Sequence, residues 1–139
     1  MKHFFSALLL SLLIIGCKST KPVSSVSYPL TGSWKLIYIS GPTIANERYS
    51  NQKPTLTFSA EMKDQVSGNT GCNNFTGKIQ TDGDSISFAK PMAMTKMFCE
   101  GGGETIFLEI LKNVNRYTVT NNTLSLMVDE IEVMRFART

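Results

Sequence analysis

Histidine is all but missing from this chain, which has one in 139 residues, at position 3. Cysteine is scarce, with three, tryptophan occurs once, and charged residues make up only 18%. No apolar run reaches the roughly 20 residues that a membrane-spanning helix needs. At this length, with 42% hydrophobic residues, the chain fits one small domain able to bury roughly two thirds of its unfolded surface. Its formal charge is +3, or +2 without Lys2, too mild and too evenly spread for a nucleic-acid partner.

The amino terminus reads MKHFFSALLLSLLIIGCKST: a basic start, an apolar run from Phe4 to Ile15, a small Gly16, then Cys17. The run is too short and wrongly flanked for a spanning helix and has the form of a signal peptide over 1–16. Ile14-Ile15-Gly16-Cys17 resembles the bacterial lipobox, which implies cleavage before an acylated Cys17. The plainer alternative is a secretory signal with an incidental cysteine, against which Gly16 and Cys17 fall just where the apolar run stops. Several acyl chains, at about 0.8 kcal/mol per buried methylene, anchor durably where one is marginal. In enteric bacteria Lys18, rather than Asp, after the lipidated cysteine favours the outer membrane, facing the periplasm.

Removing the leader removes His3, and with it any Ser/His/Asp or Cys/His relay and any His-containing zinc site. With Cys17 consumed by the lipid, Cys72 and Cys99 are left as an even pair in an oxidising compartment, where a bridge is expected. Such a bridge is worth about 3 to 4 kcal/mol on the chain-entropy model.

Residues 17–29 read as the lipidated N-terminus and a tether, rich in Ser, Thr, Lys, Val and Pro without period, able to reach roughly 40 Å. The folded domain is expected over 30–139. GSWKLIYIS alternates Trp34, Leu36 and Tyr38 against Lys35, Ile37 and Ile39, the pattern of a strand with one buried face. Strands are also expected at TLTFS (55–59), GKIQ (77–80) and SISFA (85–89), with Asp82-Gly83 marking a hairpin between the last two. In ETIFLEILKNV, residues Ile106, Phe107, Ile110, Leu111 and Val114 form a helical stripe. RYTVT, TLSLMV and IEVMRFA, separated by turns at Asn121-Asn122 and Asp129-Glu130, end the chain as a meander. The expected class is α+β, mainly antiparallel: a curled sheet or partly open barrel of about eight strands on one helix.

The densest feature is SGNTGCNNFTGK, residues 67–78. A phosphate loop needs Gly, four residues, then Gly-Lys-Ser/Thr; here Gly71 and Gly77 are one residue too far apart and Lys78 precedes Ile79. A catalytic thiol needs a group that makes the thiolate, and Cys72 has no histidine and instead a candidate covalent partner. Turns account for more, because Gly68, Gly71 and Gly77 supply positive φ or close backbone approach while Asn69, Asn73 and Asn74 tolerate left-handed backbone.

The whole pattern resembles the META domain, also called the HslJ-like family of heat-shock proteins. Gly71, Cys72, Asn73, Phe75 and Gly77 match its first motif, Met94, Thr95, Met97 and Cys99 its second, and Glu104, Phe107 and Leu111 its third. Gly32, Trp34 and Leu36 match its opening. The resemblance implies an antiparallel sheet curled into a partly open barrel against one helix, in proteins often found as bacterial envelope lipoproteins. It implies an association with stress response and no catalytic residues.

Other candidate chemistry is weaker. Met92, Met94, Met97 and Cys99 are soft donors suited to Cu(I), but period-2 spacing sends Met92 and Met94 to one strand face as core filling, so no metal or other cofactor is expected. Glu100 to Glu104 runs into the helix, whose first amides attract anions; a flexible glycine linker is the expectation. Asp82 and Asp84 flank a hairpin glycine as exposed turn carboxylates. The expected function is thus a non-enzymatic envelope lipoprotein, membrane-bound through Cys17, that contacts an envelope protein through sheet or loops. The alternative is a carrier or chaperone with a lipid or hydrophobic peptide in a cleft lined by Trp34, Tyr38 and Phe58.

Overall fold

The computed structural model describes residues 28–41, 49, 52–88 and 91–139. The leader, Cys17, most of the tether, and Pro42 and Asn46 of the first loop lie outside these residues.

Among the described residues, nine strands and one helix follow in the order β1 (Gly32–Ile39), β2 (Thr55–Phe58), β3 (Gln65–Asn69), β4 (Asn74–Asp82), β5 (Ser85–Phe88), β6 (Ala93–Met94), α1 (Gly103–Leu111), β7 (Arg116–Thr120), β8 (Thr123–Val128) and β9 (Ile131–Arg138). All pairings are antiparallel, in the sheet order β3-β2-β1-β9-β8-β7-β5-β4-β6, and a further β3–β4 pairing closes the sheet on itself. The barrel is thin at one seam, where β5 and β7 share the single register pair Ser85 and Arg116. The β6 strand lies outside the ring, paired to β4 through Phe75 with Met94 and Thr76 with Ala93.

The meander forms as its turn residues dictate. Gly83, Asn121 and Asp129 all take positive φ, at 58°, 54° and 54°, in the hairpins their sequence marks. The helical stripe is also realised: Phe107 and Leu111 are buried with Val114 just beyond the helix, and the Phe107 ring packs on Phe75 at 6.3 Å.

Four local expectations are corrected. Strand β1 does not bury Tyr38: a register shift between Leu36 and Tyr38 turns Ile39 inward instead, leaving Tyr38 38% exposed under the Arg135 guanidinium. A bulge of this kind shifts the period by one residue. Strands β3 and β6 are additions, since Gly68 breaks the β-pattern of the first and the second has two residues. Gly68 lies in a strand rather than a turn, though the expected close backbone approach is there: a Cβ would lie 2.0 Å from the Thr55 carbonyl oxygen. The glycine triplet is no linker: Gly102 caps α1 in a left-handed conformation and Gly103 is buried in its first turn.

Alternating strand directions give the barrel two distinct ends. At one, the chain enters: the Tyr28 hydroxyl donates to Asn121 Oδ1 in the β7–β8 turn at 3.2 Å. Arg138 near the C-terminus donates to the carbonyls of Thr31 (2.7 Å) and Pro29 (2.9 Å) there. Strand β3 runs in the same direction as β1, because both are antiparallel to β2. The 70–73 turn that follows β3 is therefore at the opposite end, as is the turn at Asp129-Glu130.

Candidate functional site

The sequence motifs converge at that opposite end, in a cluster made from the β3–β4 turn, the segment after β6 and the start of α1. Asn73 is its hub and is 2% exposed. Its side-chain oxygen accepts from the Thr95 hydroxyl at 2.8 Å and the Met97 amide at 2.7 Å. Its Nδ2 donates to the Met97 carbonyl at 3.1 Å and to the Glu104 carboxylate at 3.0 Å. The Asn73 backbone amide faces Glu104 Oε2 at 3.2 Å and the Thr70 Oγ1 at 2.9 Å, and the Thr70 hydroxyl donates to the same carboxylate. One asparagine thus ties its own turn to two other segments with both ends of its side-chain amide, which no isosteric carboxylate or aliphatic side chain can do.

A disulfide joins Cys72 to Cys99 across 27 positions, with Cα atoms 5.9 Å apart. It lies on the solvent side of the cluster, with Cys99 exposed, and Phe75, two residues beyond the hub, is buried against Phe107. Gly77 completes the motif for a packing reason: a Cβ there would come within 2.9 Å of Met92 Cγ.

Two residues of the cluster were not legible as site residues. Tyr49 is buried in the loop between β1 and β2, and its hydroxyl donates to the Gly103 carbonyl at 2.6 Å. Burial pushes its pKa up to about 12. Its ring occupies the space that side chains at Gly71 and Gly103 would need, with distances of 2.5 and 2.7 Å to a built Cβ. Gly71 also holds φ at 94°, so glycine is required there on both counts. Thr70, fully buried, is the other; the available signal was a threonine three residues before the motif asparagine, the spacing of a side-chain-stabilised turn.

The remaining candidates are dispersed. Asp84 pairs with Arg116, whose hydrogen bond and charge hold its carboxyl below the usual range, and Asp82 is exposed on the other side of the hairpin glycine. They make no acid-base pair. Met92 and Met94 pack against the core, Met97 is 62% exposed, and the Cys99 sulfur is in the disulfide, so the four sulfurs do not converge. Among the described residues, no three His, Cys, Asp or Glu side chains gather as metal ligands. None of their helices is long and apolar enough to cross a membrane.

Trp34 and Phe58, expected as cleft lining, are core: Trp34 is fully buried with its indole N–H on the Leu30 carbonyl at 2.8 Å, and Arg138 stacks 4.1 Å over its ring. An apolar hollow does exist elsewhere, about 340 Å³ in volume, between Phe88, Met92 and Met94 on one side and Leu108 and Leu111 of α1 on the other.

Comparison with known proteins bears on the same residues. A family model described as META domain matches residues 28–139. A solved structure described as a duf4847 family protein from Bacteroides vulgatus ATCC 8482 is similar at a TM-score of 0.55 and 18% identity, covering 78% of this chain and 93% of that one. An NMR structure of a protein from Burkholderia xenovorans is similar at a TM-score of 0.57 and 22% identity, covering 86% and 97%. At these identities the likeness is one of fold. No curated protein matches the chain.

Proposed function

The chain belongs to the META domain family, and from that premise we propose that it is a lipid-anchored component of the bacterial envelope, held by an acylated Cys17 and serving stress tolerance or envelope integrity. META domains are binding modules, so it acts by contact and without catalysis. The observation that carries this reading is the fate of the motif. Its polar groups, the carboxylate of Glu104 and both ends of the Asn73 amide among them, are engaged with one another, leaving the motif as scaffold and the surfaces around it as the means of contact. Lys18 after the anchor supports localisation at the outer membrane, facing the periplasm, by the sorting rule of enteric bacteria.

Intact-mass measurement of the chain extracted from membranes tests the anchor. The expected mass lacks residues 1–16 and carries acyl groups on Cys17. A retained leader, or a mature chain without acyl groups, overturns the reading.

A second reading, a carrier of a lipid tail or hydrophobic peptide, is favoured by the hollow beside α1. At about 340 Å³ it falls within the range of small-ligand sites, and its walls at Met92 and Met94 are adaptable. Native mass spectrometry of the full chain in mild detergent checks it: a co-purified apolar species lost in Leu108→Arg supports the carrier, and an empty domain counts against it.

A further inference from the structure

The end of the barrel farthest from the chain entry carries two features that the Asn73 cluster does not use. The first is a rigid apolar knuckle. Phe98 is 91% exposed and Met97 62%, yet their segment is held tightly, by both backbone groups of Met97 on Asn73 and by Cys99 on Cys72. Ordering a loop costs conformational entropy, and leaving a phenyl ring in water forgoes the gain of burying it. A preorganised, presented aromatic is the form that interface anchors take.

The second feature is a sheet edge. Strand β6 ends the sheet order and, among the described residues, pairs with β4 alone. Hollows flank it. One is the apolar hollow of about 340 Å³ against α1, walled by Met92 and Met94. Another, about 400 Å³, is lined by Asn74, Phe75 and Thr76 of β4 and by Ala93, Met94 and Thr95, along the β4–β6 pair itself. An added strand sends its own side chains alternately to the two faces, and the apolar hollow against α1 would take those on its side.

The end at which the described chain begins favours a protein over a membrane as occupant. The barrel is entered at Tyr28 and Pro29, pinned to Asn121 and Arg138 respectively, at the end opposite β6. About ten residues separate Tyr28 from Cys17, at most roughly 36 Å of chain. A domain anchored there carries its tether on the end away from β6 and Phe98; this placement rests on the anchored reading above. We propose that the free edge of β6, with the Met97–Phe98 knuckle beside it, docks an extended segment of another protein with apolar side chains at alternate positions.

The test uses the full chain in detergent micelles and a panel of fluorescent ten-residue peptides that alternate Val or Leu with Thr, each with a scramble of equal composition. Saturable binding of alternating peptides over their scrambles is expected, weakened about tenfold or more by Phe98→Ser and by Ala93→Lys with the unfolding temperature unchanged. Alternating peptides that bind no better than scrambles, or binding indifferent to both substitutions, would overturn it. So would slowed hydrogen exchange at residues 96–98 in phosphatidylglycerol vesicles with every peptide ignored, which assigns the knuckle to a membrane. Peptide binding by a chain without acyl groups keeps the edge site and removes the anchor, and an acylated chain that ignores all peptides does the reverse.

Discussion

The side-chain amide of Asn73 and the carboxylate of Glu104 meet at 3.0 Å, joining the β3–β4 turn to the first turn of α1 across 31 positions of sequence. The Asn73 amide simultaneously holds both backbone groups of Met97. Replacing Asn73 by Ala leaves the Met97 amide and the Glu104 carboxylate short of partners in a largely enclosed place. The expected cost is about 2 to 4 kcal/mol, read from urea unfolding; a loss below half a kcal/mol would show that the hydrogen bonds are incidental.

The disulfide closes the same cluster from outside. Replacing Cys72 and Cys99 together by Ser is expected to lower stability by about 3 to 4 kcal/mol on the chain-entropy model. Unfolding midpoints with and without a thiol reductant check this, since the native chain should lose stability on reduction while the double variant does not respond.

Tyr49 makes stability fall at alkaline pH. Its pKa is raised from 10.0 to about 12 by burial, so the unfolded chain releases this proton first. Its contribution is complete below pH 10 and is lost as pH rises toward 12, at up to about 1.4 kcal/mol per unit. Denaturation of wild type and Tyr49→Phe across that window isolates the contribution, and parallel profiles for the two proteins would refute it.

Arg138 ties the entering chain to the barrel through the Thr31 and Pro29 carbonyls and through the Trp34 ring. Arg138→Ala is expected to cost about 1 to 3 kcal/mol and to speed hydrogen exchange at residues 28–32. Unchanged exchange there would mean that the segment is held by Tyr28 and Trp34 alone.

Period and turn chemistry made the second half of the fold readable. Strands β7 to β9 form between the Asn and Asp turns as marked, with one register shift between Leu126 and Met127, and the α1 stripe survives as drawn because it faces the core along its length. The failures have local physical causes. In β1 the bulge after Leu36 changes which residue faces inward, and no periodicity announces a bulge. In β3 the strand depends on close contact between Gly68 and the Thr55 carbonyl, a demand made by the partner strand. The hub was visible only as a motif: nothing local to Asn73 specifies that Thr95, Met97 and Glu104 will surround it. Tyr49 was hidden because a polar loop gives no sign that its aromatic turns inward. Cys17 lies beyond the described residues, and its lipidation stands as proposed.

The central claim is that the motif residues act as a clasp on the fold. A double-variant cycle of Asn73→Ala and Glu104→Ala, measured by urea unfolding, tests it most directly. The account predicts that the two losses fail to add, with a coupling of about 1 to 3 kcal/mol. Additive losses, or variants as stable as the parent, would contradict it.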